Sequence, residues 1–362
     1  MKKDLLKKIK NKSVKIGLVG LGYAGLPIAL RFAQSGCKVL GIDIDQDKVS
    51  ILNNKKSPFI HISDDEIKEA ISKGFSATSD FSMSRECDVI ILCLPTPLDE
   101  HNHPDLSFIK NTMLNLKNFF RKGQVLILES TTYPGTTEEI LKPYIDELNF
   151  ELGKDFFLGY SPEREDPGNL KYTTKSIPKV CSGFSIDCLD LIEKIYLLAV
   201  DEVVRVSSPA TAEMTKLLEN IYRSVNIGLV NEMKVISSEM NIDIHEVIDA
   251  ASTKPFGFTP FYPGPGLGGH CIPVDPFYLS WKAKQVGLES RFIELSGQIN
   301  QNMPEWIFSK IKKFYVSNNK NFKNLKFLVL GLSYKRNIDD MRESPSLRLL
   351  DVIKKAGFEI NY

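Results

Sequence analysis

The sequence predicts an α/β protein with an N-terminal doubly wound parallel sheet, a central all-helical domain with a long helix, and the start of a second domain of the first kind. Three observations predict this fold class. Short apolar runs alternate with helical patterns at the start of the chain, a single helical pattern covers Ala210–Met240, and a strand–helix–strand pattern closes the 362 residues. We expect domains at 1–207, 208–321 and 322–362.

The first domain opens with a strand at Val14–Val19, a helix at Ala24–Gln34 and a second strand at Lys38–Ile42. Strand, helix and strand in this order imply a parallel pair joined by a right-handed crossover. Further compact apolar runs suit strands that are covered on both faces. These runs are Val89–Leu94, Val125–Leu128, Phe156–Gly159 and Lys179–Gly183.

The central domain begins with the helical pattern over Ala210–Met240, which contains no proline and a single glycine, Gly228. A helix of this length, about 45 Å at 1.5 Å per residue, outruns a small domain. We therefore expect it to link two domains or to pack against another subunit in a homodimer. Lys254–Pro276 holds six prolines and five glycines, which predicts a long functional loop. The remaining predicted helices are Ile244–Ala251, Val274–Gln285 and Phe292–Lys313, and the last domain adds Phe327–Leu330, Ser346–Lys355 and Phe358–Tyr362.

Composition excludes several classes of protein. Lys plus Arg number 46 and Asp plus Glu number 45, so binding of nucleic acid through bulk charge is not expected. The 43% apolar content is too high for a disordered protein. Six cysteines without a C-x-x-C pair indicate a reducing cytoplasm, and no clean apolar run reaches membrane-spanning length. We expect no metal site, because His101 and His103 have no cysteine partners nearby.

A glycine-rich turn, Gly20-Leu21-Gly22-Tyr23-Ala24-Gly25, follows the first strand and opens the first helix. Gly20 permits the tight turn, Gly22 lets a pyrophosphate approach the backbone, and Gly25 lets the helix pack closely on the strand. Asp43 ends the next strand, where it can accept hydrogen bonds from both ribose hydroxyls and would repel a 2′-phosphate. The pattern predicts a Rossmann-type site for NAD rather than NADP. Lys48 either reaches the ribose or stays solvated.

Cys271 closes the proline- and glycine-rich loop, just before a predicted helix. A helix start lowers the pKa of a thiol and raises its thiolate fraction, and Asp275, one turn further on, would face the same way. A Cys–His pair with His270 is less attractive, because adjacent side chains point apart. A thiolate together with NAD indicates oxidation of an aldehyde through a thiohemiacetal and a thioester to a carboxylic acid. Cys37, Cys93 and Cys181 are interpreted as buried apolar cysteines.

Beside the glycine turn, five further motifs stand out along the chain. They are Leu94-Pro95-Thr96-Pro97, Glu129-Ser130-Thr131-Thr132-Tyr133-Pro134-Gly135-Thr136-Thr137, Ser161-Pro162-Glu163-Arg164-Glu165, Glu213-Met214-Thr215-Lys216-Leu217-Leu218-Glu219-Asn220 and Cys271-Ile272-Pro273-Val274-Asp275. With these motifs, the chain from Val14 onward resembles the UDP-glucose/GDP-mannose dehydrogenase superfamily, and most closely its UDP-N-acetylglucosamine 6-dehydrogenases. The resemblance implies a four-electron oxidation of a sugar C6 hydroxyl to a carboxylate, with two NAD per turnover, for surface polysaccharides.

The resemblance also implies roles for individual residues. Cys271 would be the nucleophile, while Lys216 and Asn220 would bracket the oxygen that bears charge. Glu163, Asp275 and Thr131 match residues that hold or activate the hydrolytic water. Implied cofactor contacts are Gly20, Gly22, Tyr23, Ala24, Gly25, Asp43, Lys48, Thr96, Ser130 and Arg342, and implied substrate contacts are Glu163, Arg164, Lys216, Asn220, Tyr262, Gly268, Tyr334 and Lys335. Arg164 is alternatively a structural salt bridge. The resemblance also allows active sites shared between subunits, in which Lys254 would reach a neighbour's substrate.

Three departures leave alternatives open. Pro167 stands where the UDP-glucose branch has a second glutamate, and Val274 stands where that branch has a lysine. The family's third domain normally continues beyond residue 362, so we expect weak sugar-nucleotide binding from a truncated chain. UDP-glucose and UDP-N-acetylmannosamine are rival substrates. A catalytically silent NAD-binding or dimerisation module is the alternative from a different class.

Overall fold

The computed structural model describes residues 1–164, 172–269, 272–322, 325–334 and 340–362. The chain divides into two compact units, Met1–Leu217 and Leu218–Tyr362, and each is described by itself. The α/β class expected from the sequence is confirmed. Among the described residues, no helix combines the length and apolar composition that crossing a bilayer requires.

The first unit is built on one sheet of eight strands within the described residues, in the order β3-β2-β1-β4-β5-β6-β7-β8. The six strands from β3 to β6 are parallel, as the repeated strand–helix pattern predicts. The strands are β1 Lys15–Val19, β2 Lys38–Ile42, β3 Phe75–Thr78, β4 Val89–Leu92, β5 Gln124–Leu128, β6 Phe156–Tyr160, β7 Lys179–Gly183 and β8 Val203–Arg205.

Helices cover both faces of this sheet. Every residue of β4, β5 and β6 is buried, which accounts for their continuous apolar sequences. The helices are α1 Lys2–Lys10, α2 Gly25–Gln34, α3 Gln46–Asn53, α4 Asp64–Ser72, α5 Ser107–Leu116, α6 Lys142–Asp146, α7 Ile186–Tyr196 and α8 Pro209–Glu239, of which α8 continues into the second unit.

Strand β7 departs from the parallel pattern, since it pairs antiparallel with β6. A parallel connection needs a crossover of a dozen or more residues, usually helical. The described parts of the connection, 161–164 and 172–178, contain no helix. The sequence predicted the bounds of β7 correctly, but the strand–helix pattern did not predict its antiparallel direction.

Five neighbouring strands end in register, because the last residue of each pairs with the last residue of the next in β2, β1, β4, β5 and β6. The residues that follow these strands therefore form one row along the carboxyl edge of the sheet. In the order of the strands, the row is Asp43, Gly20, Cys93, Glu129 and Ser161. This edge is where parallel α/β sheets bind their ligands.

The second unit continues α8 and adds helices around it. One predicted helix, Phe292–Lys313, is wrong as a single element: α11 ends at Gln301 and α12 begins at Met303. Pro304, in the first turn of α12, has no N–H to continue the ladder of α11. The elements are α9 Ile244–Ser252, α10 Asp275–Gln285, α11 Arg291–Gln301, α12 Met303–Ser317, β9 Lys326–Leu328, α13 Pro345–Lys355 and β10 Glu359–Asn361.

Strands β9 and β10 pair in parallel, and aromatic rings packed edge to face join this pair to α12. The ring of Phe358 lies 4.9 Å from Phe322, 5.3 Å from Phe327 and 6.0 Å from Phe308, measured between centroids. Edge-to-face pairs at these separations stabilise packing beyond the area they bury. The short final βαβ segment therefore packs on the helical part of its unit.

At the opposite edge of the first sheet, buried Asp88 attaches α1 to the strands. Its Oδ1 accepts from Lys8 Nζ at 2.7 Å and Arg121 at 2.9 Å, and its Oδ2 accepts from Lys15 N at 3.2 Å. Burial alone would raise the pKa of Asp88, but the hydrogen bonds from Lys8, Lys15 and Arg121 outweigh it and lower that pKa. Ionised Asp88 therefore stabilises the fold.

We predict that Asp88→Asn lowers the free energy of unfolding at pH 7 by about 1–3 kcal/mol, because buried donors lose a charged acceptor. A depressed pKa contributes stability above the unfolded-state value and loses it as the pH falls through the folded-state value. The difference between wild type and variant should therefore narrow below about pH 4. Urea unfolding at several pH values measures it, with exposed Asp47→Asn as the control. An equal difference at pH 7 and pH 3 would contradict this role.

Candidate functional site

The glycine-rich turn leaves an open cradle at the start of α2. Gly20 has a φ of +93°, and a Cβ there would lie 2.2 Å from the carbonyl oxygen of Cys93. A Cβ on Gly25 would lie 1.9 Å from the Gly20 oxygen, so neither position accepts a side chain. At Gly22, by contrast, a Cβ would meet nothing within 4 Å. The open space at Gly22 and the uncapped start of α2 fit the phosphates of a dinucleotide.

Two rings support the turn from outside. Tyr23 stacks on His61 with a centroid distance of 5.4 Å and contacts Phe59 at 4.5 Å.

Ala24 precedes the first residue of α2 and gives it no side-chain cap. The first helical N–H groups of α2 therefore receive no hydrogen bond from the residue that precedes the helix.

Asp43 connects the turn to the following helix. Its Oδ2 accepts from Leu21 N at 2.8 Å and from Lys48 Nζ at 2.9 Å, and its Oδ1 accepts from Asp45 N at 3.0 Å. Asp43 and Lys48, each predicted to contact the cofactor, thus contact one another, and the carboxylate is fixed beside the turn. An ionised acceptor at this place suits ribose hydroxyls and opposes an added phosphate.

The segments that follow β4 and β5 carry three further predicted site residues, Thr96, Ser130 and Thr131. Ser130 is buried, and its Oγ accepts from Leu94 N at 2.8 Å, so the segments after β4 and β5 are joined. Thr96 is buried, whereas Thr131 is only half-buried. The structure thus brings Ser130 and the Leu94–Thr96 segment together at the carboxyl edge.

Lys216 is buried, with 5% of its surface exposed, although its charge alone would indicate a solvated position. Its ammonium group donates to the backbone carbonyl of Glu163 at 2.5 Å and lies 3.3 Å from the Glu163 carboxylate. Glu163 N in turn donates to the carbonyl of Glu129 at 3.4 Å. Arg164 donates to the carbonyl of Pro178 at 2.5 Å, a structural contact.

In the second unit, Asn220 and Asp275 form a buried pair in which Asn220 Nδ2 donates to Asp275 Oδ2 at 2.5 Å. Asp275 is the first residue of α10, where the helix start favours a negative charge. Cys271, His270 and Lys335 lie outside the described residues. The predicted helix after the cysteine is present, beginning one residue later than expected.

Gly268 packs against Tyr334, so these two predicted substrate contacts lie together. A Cβ on Gly268 would be 2.5 Å from Tyr334 Cβ, and Gly269 N donates to the carbonyl of Arg342 at 3.1 Å. The Arg342 guanidinium binds the Asp340 carboxylate through two nitrogens, at 2.9 and 2.7 Å. Tyr262 instead binds α9, where its hydroxyl donates to Asp249 at 2.8 Å.

Sequence reasoning missed a buried ionic cluster below the row. The Glu129 carboxylate, at most 1% exposed, lies 3.0 Å from Lys179 Nζ and accepts from Tyr196 at 2.5 Å. Burial raises the pKa of Tyr196 well above its usual value. The sequence did offer one signal for this cluster, because Lys179 is the one charged residue of the buried strand β7. A buried charge of this kind needs a partner of opposite charge.

The cysteine interpretations are partly corrected. Cys37 and Cys181 are buried, and burial raises the pKa of both thiols, that of Cys181 to about 12. Cys93 is only partly buried, and its Sγ lies 3.9 Å from Glu129 Oε2. It follows β4 directly, so it stands in the row at the sheet edge instead of in the core.

Comparison with known families gives three consecutive matches. The NAD binding domain of the UDP-glucose/GDP-mannose dehydrogenase family matches residues 14–200 and its central domain matches 210–302. Its UDP binding domain matches 328–362. The cofactor of the chain is therefore NAD.

Individual relatives agree on the family and differ in their sugars. The chain is 35% identical over 348 residues to a UDP-N-acetyl-D-glucosamine 6-dehydrogenase from Pseudomonas aeruginosa, which covers 96% of this chain and 81% of the relative. The solved UDP-D-ManNAc dehydrogenase from Pyrococcus horikoshii superposes with a TM-score of 0.89 at 32% identity, covering 96% and 82%. The UDP-N-acetyl-mannosamine dehydrogenase Cap5O from Staphylococcus aureus gives 0.83 at 31% identity, covering 96% and 81%.

We predict that Glu129→Gln lowers the free energy of unfolding by about 3–5 kcal/mol, because the Lys179 ammonium then stays buried without a counter-charge. Glu129→Gln with Lys179→Met should be destabilised less than the single variant. Denaturant unfolding at pH 7 measures both, with exposed Glu138→Gln as the control. A single variant as stable as the control would show that the ion pair does not stabilise this edge.

Proposed function

Because the chain belongs to the UDP-glucose/GDP-mannose dehydrogenase family, we propose that it oxidises the C6 hydroxyl of UDP-N-acetylglucosamine to a carboxylate, for surface polysaccharide biosynthesis. The coarser activity, NAD-dependent oxidation of a UDP-sugar, follows from the family. The contact between buried Lys216 and Glu163 carries the proposal. An ammonium group held at the carboxyl edge of the sheet is expensive to bury, and a catalytic role explains its presence.

The proposed cofactor contacts of the first unit fit NAD on their own chemistry. The backbone at Gly22 and the start of α2 would take the pyrophosphate, and Asp43 would take the adenosine ribose. Ser130 would contact the cofactor from the end of β5. When bound, NAD accepts one hydride in each of the two oxidations.

The chain's own residues would then divide the remaining work. In its neutral amine form, Lys216 takes the alcohol proton in the first oxidation, and loss of the C6 hydride to the bound cofactor leaves an aldehyde at C6. The Cys271 thiolate adds to that carbon and forms a thiohemiacetal, whose oxygen Lys216 and Asn220 stabilise. The second oxidation gives a thioester, and water cleaves it to the carboxylate and the free thiol. Lys216 and Asn220 stand four residues apart on α8, as one shared target requires.

The residues proposed to hold the hydrolytic water carry complementary partners. In the second unit, Asp275 accepts from the Asn220 amide and would hold the hydrolytic water in this proposal. In the first unit, Glu163 would act with Thr131, whose side chain is half-buried at the carboxyl edge of the sheet. Each of these groups can accept a hydrogen bond from a positioned water.

The sugar is the open part of the proposal. The Pseudomonas aeruginosa relative, named for N-acetylglucosamine, supports our choice. N-acetylmannosamine is the second candidate, because the solved dehydrogenases from Pyrococcus horikoshii and Staphylococcus aureus are named for that sugar. These sugars differ in configuration at C2, so the discrimination falls to the residues that contact the acetamido group.

We also propose a homodimer through α8. The helix exposes a stripe of large apolar side chains at helical spacing within the second unit, each at least 39% exposed in the single chain. Such a continuous apolar face on a soluble chain marks an interaction surface, and self-association buries it in the simplest way. The stripe consists of Leu218, Tyr222, Leu229, Met233 and Ile236, and Met240 continues it directly after the helix ends at Glu239.

The protein incubated with NAD and one UDP-sugar at a time should form two NADH per sugar, fastest with UDP-N-acetylglucosamine. The panel also includes the N-acetylmannosamine, N-acetylgalactosamine and glucose forms. Cys271→Ser should abolish net acid production, because a serine hydroxyl is a far weaker nucleophile than a thiolate. NAD binding without turnover of any sugar would favour a silent module, and normal acid production by Cys271→Ser would exclude the thioester route.

Sedimentation analysis should give the mass of a dimer for the wild type. Leu229→Glu with Met233→Glu should shift it to the monomer, because two carboxylates would be desolvated at the contact. Leu114→Glu changes a comparably exposed leucine on α5 and should leave the dimer intact. A wild-type monomer at every concentration tested would refute the proposed interface.

A further inference from the structure

Glu213 is a fully buried carboxylate that the proposed chemistry does not use. It lies on α8, three residues before Lys216. Its Oε1 accepts from Thr137 Oγ1 at 2.6 Å and Thr137 N at 2.9 Å, and its Oε2 accepts from Gly135 N at 2.6 Å. Three donors from one loop therefore converge on this single side chain.

These contacts cap the helical turn that begins at Thr137 and runs into α6. A helix start has unsatisfied N–H groups, which an acidic side chain stabilises when it lies there. Burial raises the pKa of Glu213, while the hydrogen bonds from Thr137 and Gly135 lower it in part. The cap fixes the end of the segment that starts at Glu129 and carries Ser130 and Thr131.

The contacts close a ring within the first unit. The chain runs from Glu129 to Thr137, Thr137 binds Glu213, and one turn of α8 leads from Glu213 to Lys216. Lys216 binds the carbonyl of Glu163, and Glu163 N binds the carbonyl of Glu129. The position of Lys216 relative to Thr131 therefore depends on all three hydrogen-bonded links of the ring: Thr137 to Glu213, Lys216 to Glu163, and Glu163 to Glu129.

We propose that Glu213 is a positioning residue that holds Lys216 in its catalytic place relative to Thr131 and Glu163. The inference rests on the proposed function and adds a residue to it. Glutamine cannot replace Glu213, because a glutamine side chain has only one acceptor oxygen. If that oxygen accepts from Thr137, the glutamine NH₂ group faces the N–H of Gly135, and two donors then oppose each other. The loop or α8 must then shift, and a shift of this kind displaces the Lys216 ammonium.

The test compares the turnover number with cofactor binding in Glu213→Gln. We expect kcat on the best UDP-sugar to fall about 10- to 100-fold, the cost of a misplaced catalytic group. The Kd for NAD should change less than about threefold, because the glycine turn and Asp43 do not contact Glu213 and Ser130 is held independently by its hydrogen bond from Leu94 N. Added to Lys216→Ala, Glu213→Gln should lower kcat by less than about threefold further, since its effect passes through Lys216.

Thr137 provides a milder pair of variants, which also serves if Glu213→Gln does not fold. Thr137→Val removes one donor and should lower kcat about 3- to 10-fold, whereas Thr137→Ser keeps the hydroxyl and should restore it. The control Glu138→Gln, an exposed residue of the same turn, should match wild type. Near-normal kcat in Glu213→Gln, or an undiminished loss in the Lys216→Ala background, would overturn the inference. A wild type that turns over no sugar would instead count against the proposed function itself.

Discussion

The parallel register of the sheet is the constraint on which the rest of the first unit depends. Because five neighbouring strands stop at the same level, the residues after them must share one edge. Gly20 and Cys93 meet there so closely that a side chain on Gly20 would overlap the Cys93 carbonyl. Glu129 is the next residue along that edge, and burial of its carboxylate is costly. The ion pair with Lys179 and the hydrogen bond from Tyr196 offset this cost. A cofactor cradle and its buried support thus follow from the same strand ends.

Polar groups inside the two units are arranged around the segments proposed to do chemistry. In the first unit, Lys216 is held by Glu163, and the segments that surround them are tied by backbone and carboxylate hydrogen bonds. In the second unit, Asn220 and Asp275 satisfy each other away from water. Hydrogen-bonded polar groups of this kind hold side chains in a defined geometry, which a catalyst needs before its substrate arrives.

Much of this could be predicted from the sequence, where the local pattern was strong. The glycine turn and Asp43 were predicted together because each has a fixed place on the strand that carries it. The burial of Lys216 could not be derived from its own helix, since only tertiary packing with Glu163 shows it. The antiparallel direction of β7 was likewise not predictable, because the apolar pattern of a strand does not encode its direction. The roles of Lys216 and Glu163 came from family resemblance, and they remain proposals.

The most direct test of the proposed chemistry is whether the sugar becomes attached to Cys271. The protein, NAD and UDP-N-acetylglucosamine would be mixed and quenched in acid within the first turnover, since acid preserves thioesters. Peptide mass spectrometry should then find the peptide that contains Cys271 heavier by the oxidised sugar nucleotide, and unmodified when NAD is omitted. Full production of the acid with Cys271 unmodified at every quench time would contradict the account.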